Sequence, residues 1–167
     1  MNAILIWGIL ASLPLVINLR AYALDLERFV DAVGLSAMVL IMWAMTNDLD
    51  LRYPFPDNKF LHPMFDLAGG MTAMTAWWTH RKPWKLILAA LFLLQSVFDA
   101  SFWLSWLLHK NTAIGYNYVI LLNVVFIAQL VVLGWSGGVS VARDLFARLP
   151  LRPDLVHMPG SRHGRTP

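Results

Sequence analysis

Cysteine is absent from this sequence. Its absence excludes disulfides, metal sites built from thiolates and the covalent attachment of c-type haem. The sequence also lacks a P-loop, a dinucleotide-binding glycine pattern, a nucleophile elbow and a zinc-protease helix motif. No common catalytic motif is present, so the sequence gives no positive indication of an enzyme.

Charged residues are scarce. Asp, Glu, Lys and Arg make up 14% of the 167 residues, whereas hydrophobic residues make up 58%. A soluble domain has about 25% charged and about 45–50% apolar residues. This composition excludes an ordinary soluble domain and is typical of a chain embedded in a bilayer.

The hydrophobic residues are collected in five stretches, each close to the length of a spanning helix. A helix needs roughly 20 predominantly apolar residues to cross the hydrocarbon of a bilayer. The stretches run over residues 2–19, 30–46, 61–79, 86–108 and 114–135. They predict an all-α, polytopic integral membrane protein of about five transmembrane helices. Because the second and third stretches are short and interrupted, four spans with one re-entrant or interfacial segment are an alternative.

The basic residues are distributed unequally between the two sides of this arrangement. Lys and Arg are enriched in cytoplasmic connections. Three of the 13 follow the second and fourth stretches: Arg52, Lys59 and Lys110. The other ten follow the first, third and fifth stretches: Arg20, Arg28, Arg81, Lys82, Lys85, Arg143, Arg148, Arg152, Arg162 and Arg165. We therefore expect the N-terminus outside and the C-terminus inside, in a bacterial cytoplasmic (inner) membrane.

Tryptophan agrees with this arrangement, because its ring concentrates at membrane–water interfaces. The eight tryptophans fall near the predicted outer ends of the stretches (Trp7, Trp43, Trp103 and Trp106) or near the inner ends (Trp77, Trp78, Trp84 and Trp135). They are interpreted as interfacial anchors.

The character of the sequence changes after residue 136, which divides the chain into three regions. Residues 1–136 are expected to form the transmembrane bundle. Residues 137–150 carry apolar residues at helical spacing and predict a short amphipathic helix on the inner surface. Residues 151–167, rich in Pro, Gly and Arg, predict a disordered basic tail.

The expected partners follow from this organisation. Besides the lipid bilayer itself, anionic lipid headgroups suit the basic tail, whereas nucleic acid is not expected because the tail has no basic run interleaved with aromatic residues. Small residues at 68–76 favour close helix contact, which leaves room for partner helices or a homo-oligomer.

Asp99 is the strongest candidate for a functional residue. It lies well inside the fourth stretch with Gln95 one turn away on the same face, and charge in hydrocarbon is costly. One interpretation is structural: a neutral Asp99 bonded to Asn123 of the fifth stretch, which lies at a similar depth. The other is a cavity open to the outer face, lined by Asp99, Asp66 and Asn123, and extended by Asn117 and Tyr118.

Asp66 in the third stretch also has two interpretations. If Pro63 is the first residue of that helix, Asp66 falls in the first turn, where the helix dipole favours a carboxylate, and His62 is a cap or an interfacial side chain. The alternative is that His62 and Asp66, four residues apart, bind a proton, a cation or a polar headgroup.

No cofactor or metal site is predicted. Two histidines at matched depth are needed for a b-type haem, and the histidines near the ends of the stretches (His62, His80 and His109) do not supply them. The acidic residues Asp48, Asp50 and Asp57 lack the spacing of a calcium loop.

Two functions remain open. The absence of catalytic residues and of a soluble body favours an accessory or interaction subunit, or a membrane protein of a phage or mobile element. The alternative is a small carrier or binding protein for a proton, a cation or a lipid-like ligand, using the intramembrane carboxylates. Convergence of Asp66, Asp99 and Asn123 on one cavity favours the second function, and their dispersal over separate helix contacts favours the first.

The charge distribution makes a topological prediction. Single cysteines introduced at Asp57 and Thr112 should react with an impermeant thiol reagent added outside, while one at Lys82 should react only after the membrane is opened. The natural chain gives no background because it has no cysteine. Labelling of positions 57 and 82 from the same side would contradict the arrangement.

Overall fold

The apolar stretches form helices in the computed structural model of the chain, which describes residues 3–22, 26–52, 60–109 and 115–148. The described residues form five helices: α1 (Ala3–Tyr22), α2 (Leu26–Arg52), α3 (Leu61–Thr79), α4 (Pro83–His109) and α5 (Gly115–Arg148). The predicted all-α class is confirmed.

Four of these helices are long and apolar enough to cross a membrane, through the segments Ile4–Tyr22, Phe29–Asp48, Pro83–Leu108 and Asn117–Trp135. At most 22% of each segment is buried inside the structure. Apolar side chains such as Val16, Val97 and Val131 are more than half exposed, at 59%, 59% and 56%. Exposed apolar surface of this extent suits lipid as the solvent, as expected of a membrane protein.

Helix α3 is not among these four segments. Its 19 residues reach about 28 Å at about 1.5 Å per residue, close to the thickness of the hydrocarbon. Its composition is less apolar, because it contains His62, Asp66, two glycines and several threonines. Length and composition therefore support four of the five predicted spans, and the fifth stays a prediction.

Helices α3 and α4 form an antiparallel pair, joined by residues 80–82. Near the far end of the pair, Ser96 Oγ of α4 donates a hydrogen bond of 2.9 Å to the carbonyl oxygen of Pro63 in α3. Gly69 lets the helices approach closely, since a Cβ there would lie 2.9 Å from the Phe92 ring. The pairing places the first half of α3 beside the middle of α4.

The centre of the bundle is apolar. Its buried side chains come from α2, α3, α4 and α5: Leu35, Val39, Ala73, Leu88, Ala89, Phe92 and Leu133. Moving such side chains from lipid into protein gives little hydrophobic gain, so their van der Waals packing is what stabilises helix association here.

A polar contact joins α1, α2 and α5. The fully buried Asn18 of α1 donates hydrogen bonds from Nδ2 to Ser36 Oγ in α2 at 2.9 Å and to the Leu133 carbonyl oxygen in α5 at 3.1 Å. Gly137 of α5 lies directly against it, because a Cβ at position 137 would be 2.2 Å from Asn18 Oδ1. Polar groups inside a membrane must be satisfied within the protein, so this contact fixes how the three helices meet.

Helix α5 differs from the predicted division of the chain at residue 136. It runs unbroken over 34 residues to Arg148, so the helix predicted over 137–150 is not a separate element. Gly137 lies within the helix, where it packs against α1, and it does not end the helix. At about 1.5 Å per residue α5 is roughly 51 Å long, well beyond the roughly 30 Å of hydrocarbon, so part of it extends past the hydrocarbon. The predicted tail, 151–167, lies outside the described residues.

The two adjacent glycines of α5 make a matched test of this contact. Gly137→Ala should lower the free energy of unfolding by about 1–3 kcal/mol, because the added methyl group collides with a hydrogen-bonded Asn18. Gly138 has nothing within 4 Å of the equivalent position, so Gly138→Ala should stabilise the helix by about 0.5–1 kcal/mol. Unfolding of both variants in detergent measures the difference, and equal effects would contradict the assigned packing.

Candidate functional site

A cavity of about 280 Å³ lies among the five helices, in the half of the bundle that contains the N-terminal parts of α1, α3 and α5. All five side chains that the sequence singled out line it: Asp99, Asp66, His62, Asn123 and Gln95. Tyr118, proposed with them, also lines the cavity, whereas Asn117 is exposed and is not among the lining residues. The structure therefore brings the candidates together.

Asp99 is 3% exposed and takes its hydrogen bond from α5. The hydroxyl group of Tyr118 donates to Asp99 Oδ1, and the Tyr118 ring is held flat against Phe102 of α4, with ring centroids 4.0 Å apart and planes inclined by 9°. The structural interpretation of the sequence paired Asp99 with Asn123. Tyr118 takes that position because its hydroxyl group reaches further from the helix backbone than an asparagine amide does.

The dipole explanation of Asp66 is wrong. Helix α3 begins at Leu61, so Pro63 is its third residue and Asp66 lies beyond the first turn, which contains no acidic residue. His62 is not a cap either, since the cap position is Phe60, without a side-chain bond. Both His62 and Asp66 are buried, at 7% and 6% exposure, and both line the cavity.

A chain of hydrogen-bonding side chains crosses the cavity wall. Gln129 of α5 donates from Nε2 to Gln95 Oε1 of α4 at 3.0 Å. This bond turns the Gln95 amide nitrogen away from Gln129 and leaves it available to Asp66, with which Gln95 also forms a side-chain hydrogen bond. The Asp66 carboxyl is in turn within hydrogen-bonding contact of the Asp99 carboxyl. Helices α3, α4 and α5 thus hold the two carboxyl groups together.

The charge balance of this pair is incomplete. Two ionised carboxylates in contact repel each other, and a hydrogen bond between them requires a shared proton. Asp66 Oδ2 is buried and accepts no hydrogen bond from the described residues, and none of the lining residues that the structure describes is Lys or Arg. Because an uncompensated charge is costly in a low-dielectric site, the pair must hold a proton or another cation.

Comparison with known proteins finds no match to a family model, to a curated protein or to a solved structure.

Aromatic rings form much of the remaining wall. Beside the polar residues, the cavity is lined by four aromatic side chains: Trp7 of α1, Trp43 of α2, Phe92 and Phe126. The rings of Trp7 and Phe126 are 6.1 Å apart and tilted by 59°, and Trp43 packs over Gly8, where a Cβ would lie 3.0 Å from the indole. The sequence placed both tryptophans at the interface by depth alone. The direction in which each ring points depends on how the helices are rotated, which depth does not reveal.

A second polar cluster, which the sequence did not reveal, lies where α2 meets the α3–α4 turn. Lys85 was counted as a connection charge but is fully buried in α4. Its Nζ forms an ion pair with Asp31 of α2 and donates to the Ala76 carbonyl oxygen at 3.0 Å. His80 Nδ1 also lies 2.9 Å from Asp31 Oδ2. The feature of the sequence that could have indicated this cluster is Asp31, an acidic residue at the edge of the second apolar stretch.

Among the described residues, no three or more His, Asp or Glu side chains lie close enough together to hold a metal ion.

The hydrogen bonds of Asp99 make a prediction about stability. Asp99→Leu should lower the free energy of unfolding by about 1–3 kcal/mol, because the Tyr118 hydroxyl loses its buried acceptor. Asp99→Asn keeps an acceptor for Tyr118 and can donate to Asp66, so its cost should stay below about 1 kcal/mol. A double-mutant cycle with Tyr118→Phe checks the assignment by unfolding in detergent. Strictly additive losses from Asp99→Leu and Tyr118→Phe would contradict the bond.

Proposed function

We propose that this chain is a small membrane protein that binds a cation at the carboxyl pair of Asp66 and Asp99. Without a bound cation the two carboxyl groups share a proton, and the cation replaces this proton when it binds. The single observation that carries the proposal is this pair: two buried carboxyl groups in contact, on a cavity wall without a described Lys or Arg.

The convergence of the polar residues supports binding over a purely structural role. A structural bridge needs one donor and one acceptor between two helices. Here Asp66, Asp99 and Gln95 face one cavity together with Asn123 and His62, and an oxygen of Asp66 still lacks a described donor. The accessory-subunit hypothesis predicts dispersal of these side chains, and no contact of the described residues favours it specifically.

The membrane arrangement belongs to the same proposal. We take α3 as the fifth span, because it pairs along its length with α4, which is long enough to cross. Ten of the 13 basic residues lie on the side of the C-terminus, so the C-terminus is inside and the N-terminus is outside. The cavity then faces the outer half of the membrane. The membrane is the bacterial cytoplasmic (inner) membrane.

The proposal is tested by the effect of cations on thermal unfolding of the purified protein in detergent. Sodium, magnesium and n-butylammonium chlorides are compared at equal ionic strength. At least one should raise the unfolding temperature of the wild type, since a ligand that binds only the folded state stabilises it. Asp66→Asn and Asp99→Asn should each abolish the rise. Asp48→Asn is the matched control, because Asp48 is exposed and paired with Arg52 at 2.9 Å.

Acid pH should weaken the response. The titratable groups that face the cavity are Asp66, Asp99, His62 and Tyr118. Protons compete with the cation for the carboxyl pair, so the rise should be smaller at about pH 5.5 than at about pH 8. A response to none of the three cations, or one that both Asn variants retain, would overturn the proposal.

A further inference from the structure

The walls of the cavity differ in chemistry around the carboxyl pair. The polar part includes Asp66, Asp99, Gln95 and Asn123, all of which can accept hydrogen bonds. The apolar part combines aliphatic side chains such as Met42 and Leu122 with aromatic rings, those of Trp7, Trp43, Phe92 and Phe126. A hydrated inorganic ion gains little from an apolar wall, whereas an organic ammonium ion can bury its hydrocarbon chain against one.

Resting on the proposed function, we infer that the ligand of this site is a protonated primary amine with a short apolar chain. Its ammonium group supplies N–H donors to the Asp66 and Asp99 carboxylates, and Asp66 Oδ2 is the buried acceptor that lacks a described donor. Its chain lies against the aromatic wall. The pairing of one charged end with one apolar end matches the two parts of the cavity.

The size of the cavity limits the ligand. At about 280 Å³ it lies at the lower end of the range of small-molecule sites, roughly 300–1,000 Å³. It exceeds what a bare ion occupies, and Mg²⁺ or Ca²⁺ in addition prefers about six or more oxygen ligands at fixed distances. A chain of a few carbon atoms fits both limits.

Calorimetric titration of the full-length protein in detergent tests the inference with three matched probes. n-Butylammonium has both the charge and the chain, sodium has only the charge, and 1-butanol has only the chain. We expect n-butylammonium to bind at least about tenfold more tightly than either of the other two. Asp66→Asn and Asp99→Asn should remove this binding, and they also correct for partition of the probe into detergent.

The aromatic wall is tested separately. Trp7→Leu replaces the indole with a smaller side chain and removes part of the surface against which the chain lies, so it should weaken n-butylammonium binding about 3- to 30-fold. Trp78→Leu is the control, because Trp78 is 68% exposed and outside the cavity. Where Trp7→Leu fails to fold, Phe126→Leu on the same wall replaces it.

The outcomes separate the inference from the function on which it rests. Carboxyl-dependent binding of sodium that equals or exceeds that of n-butylammonium would overturn the amine ligand and leave the cation site intact. Binding of n-butylammonium that neither ring variant weakens would also overturn the inference. Absence of carboxyl-dependent binding by every cation would overturn both.

Discussion

A buried polar group inside hydrocarbon needs a hydrogen-bond partner within the protein, and the way in which the helices meet depends on this constraint. Asn18 meets it by bonding to two other helices at once, against a glycine that leaves room for the contact. Lys85 meets it with a carboxylate of α2 and a carbonyl oxygen of α3. Because such partners occur at only a few positions, they set the rotation and register of helices whose apolar surfaces alone would permit many arrangements.

The two acidic clusters satisfy the same constraint in different ways. Asp31 is neutralised by a cation that belongs to the protein, the ammonium group of Lys85. Asp66 and Asp99 have each other, a tyrosine hydroxyl group and an amide instead. A fixed internal cation makes the first cluster a structural joint between helices. The second has no described Lys or Arg on the cavity wall, and we propose that a bound ligand supplies its positive charge.

The side chains beside Phe92 explain why a cavity forms next to the carboxyl pair. Phe92 fills the centre of the bundle beside Gly69, and beyond it the helices carry bulky rings and polar side chains that do not close over one another. The hydrogen bond from Gln129 fixes the orientation of the Gln95 amide on the cavity wall. The hydrogen bonds along this wall hold the carboxyl groups near each other without filling the space next to them.

The sequence by itself determined the all-α class, the bounds of four apolar spans to within a few residues, and the five side chains that meet at the cavity. These could be predicted because length, hydropathy and the cost of a buried charge are local properties of the chain. It could not assign the partner of Asp99, the burial of Lys85, the inward rings of Trp7 and Trp43, or the role of Gly137. Each of these depends on how one helix is rotated against another, and that rotation is decided by contacts between residues as distant along the chain as Asn18 and Leu133. Only the tertiary structure contains that information, since a helix of nearly uniform hydrophobicity does not reveal which of its faces meets protein and which meets lipid.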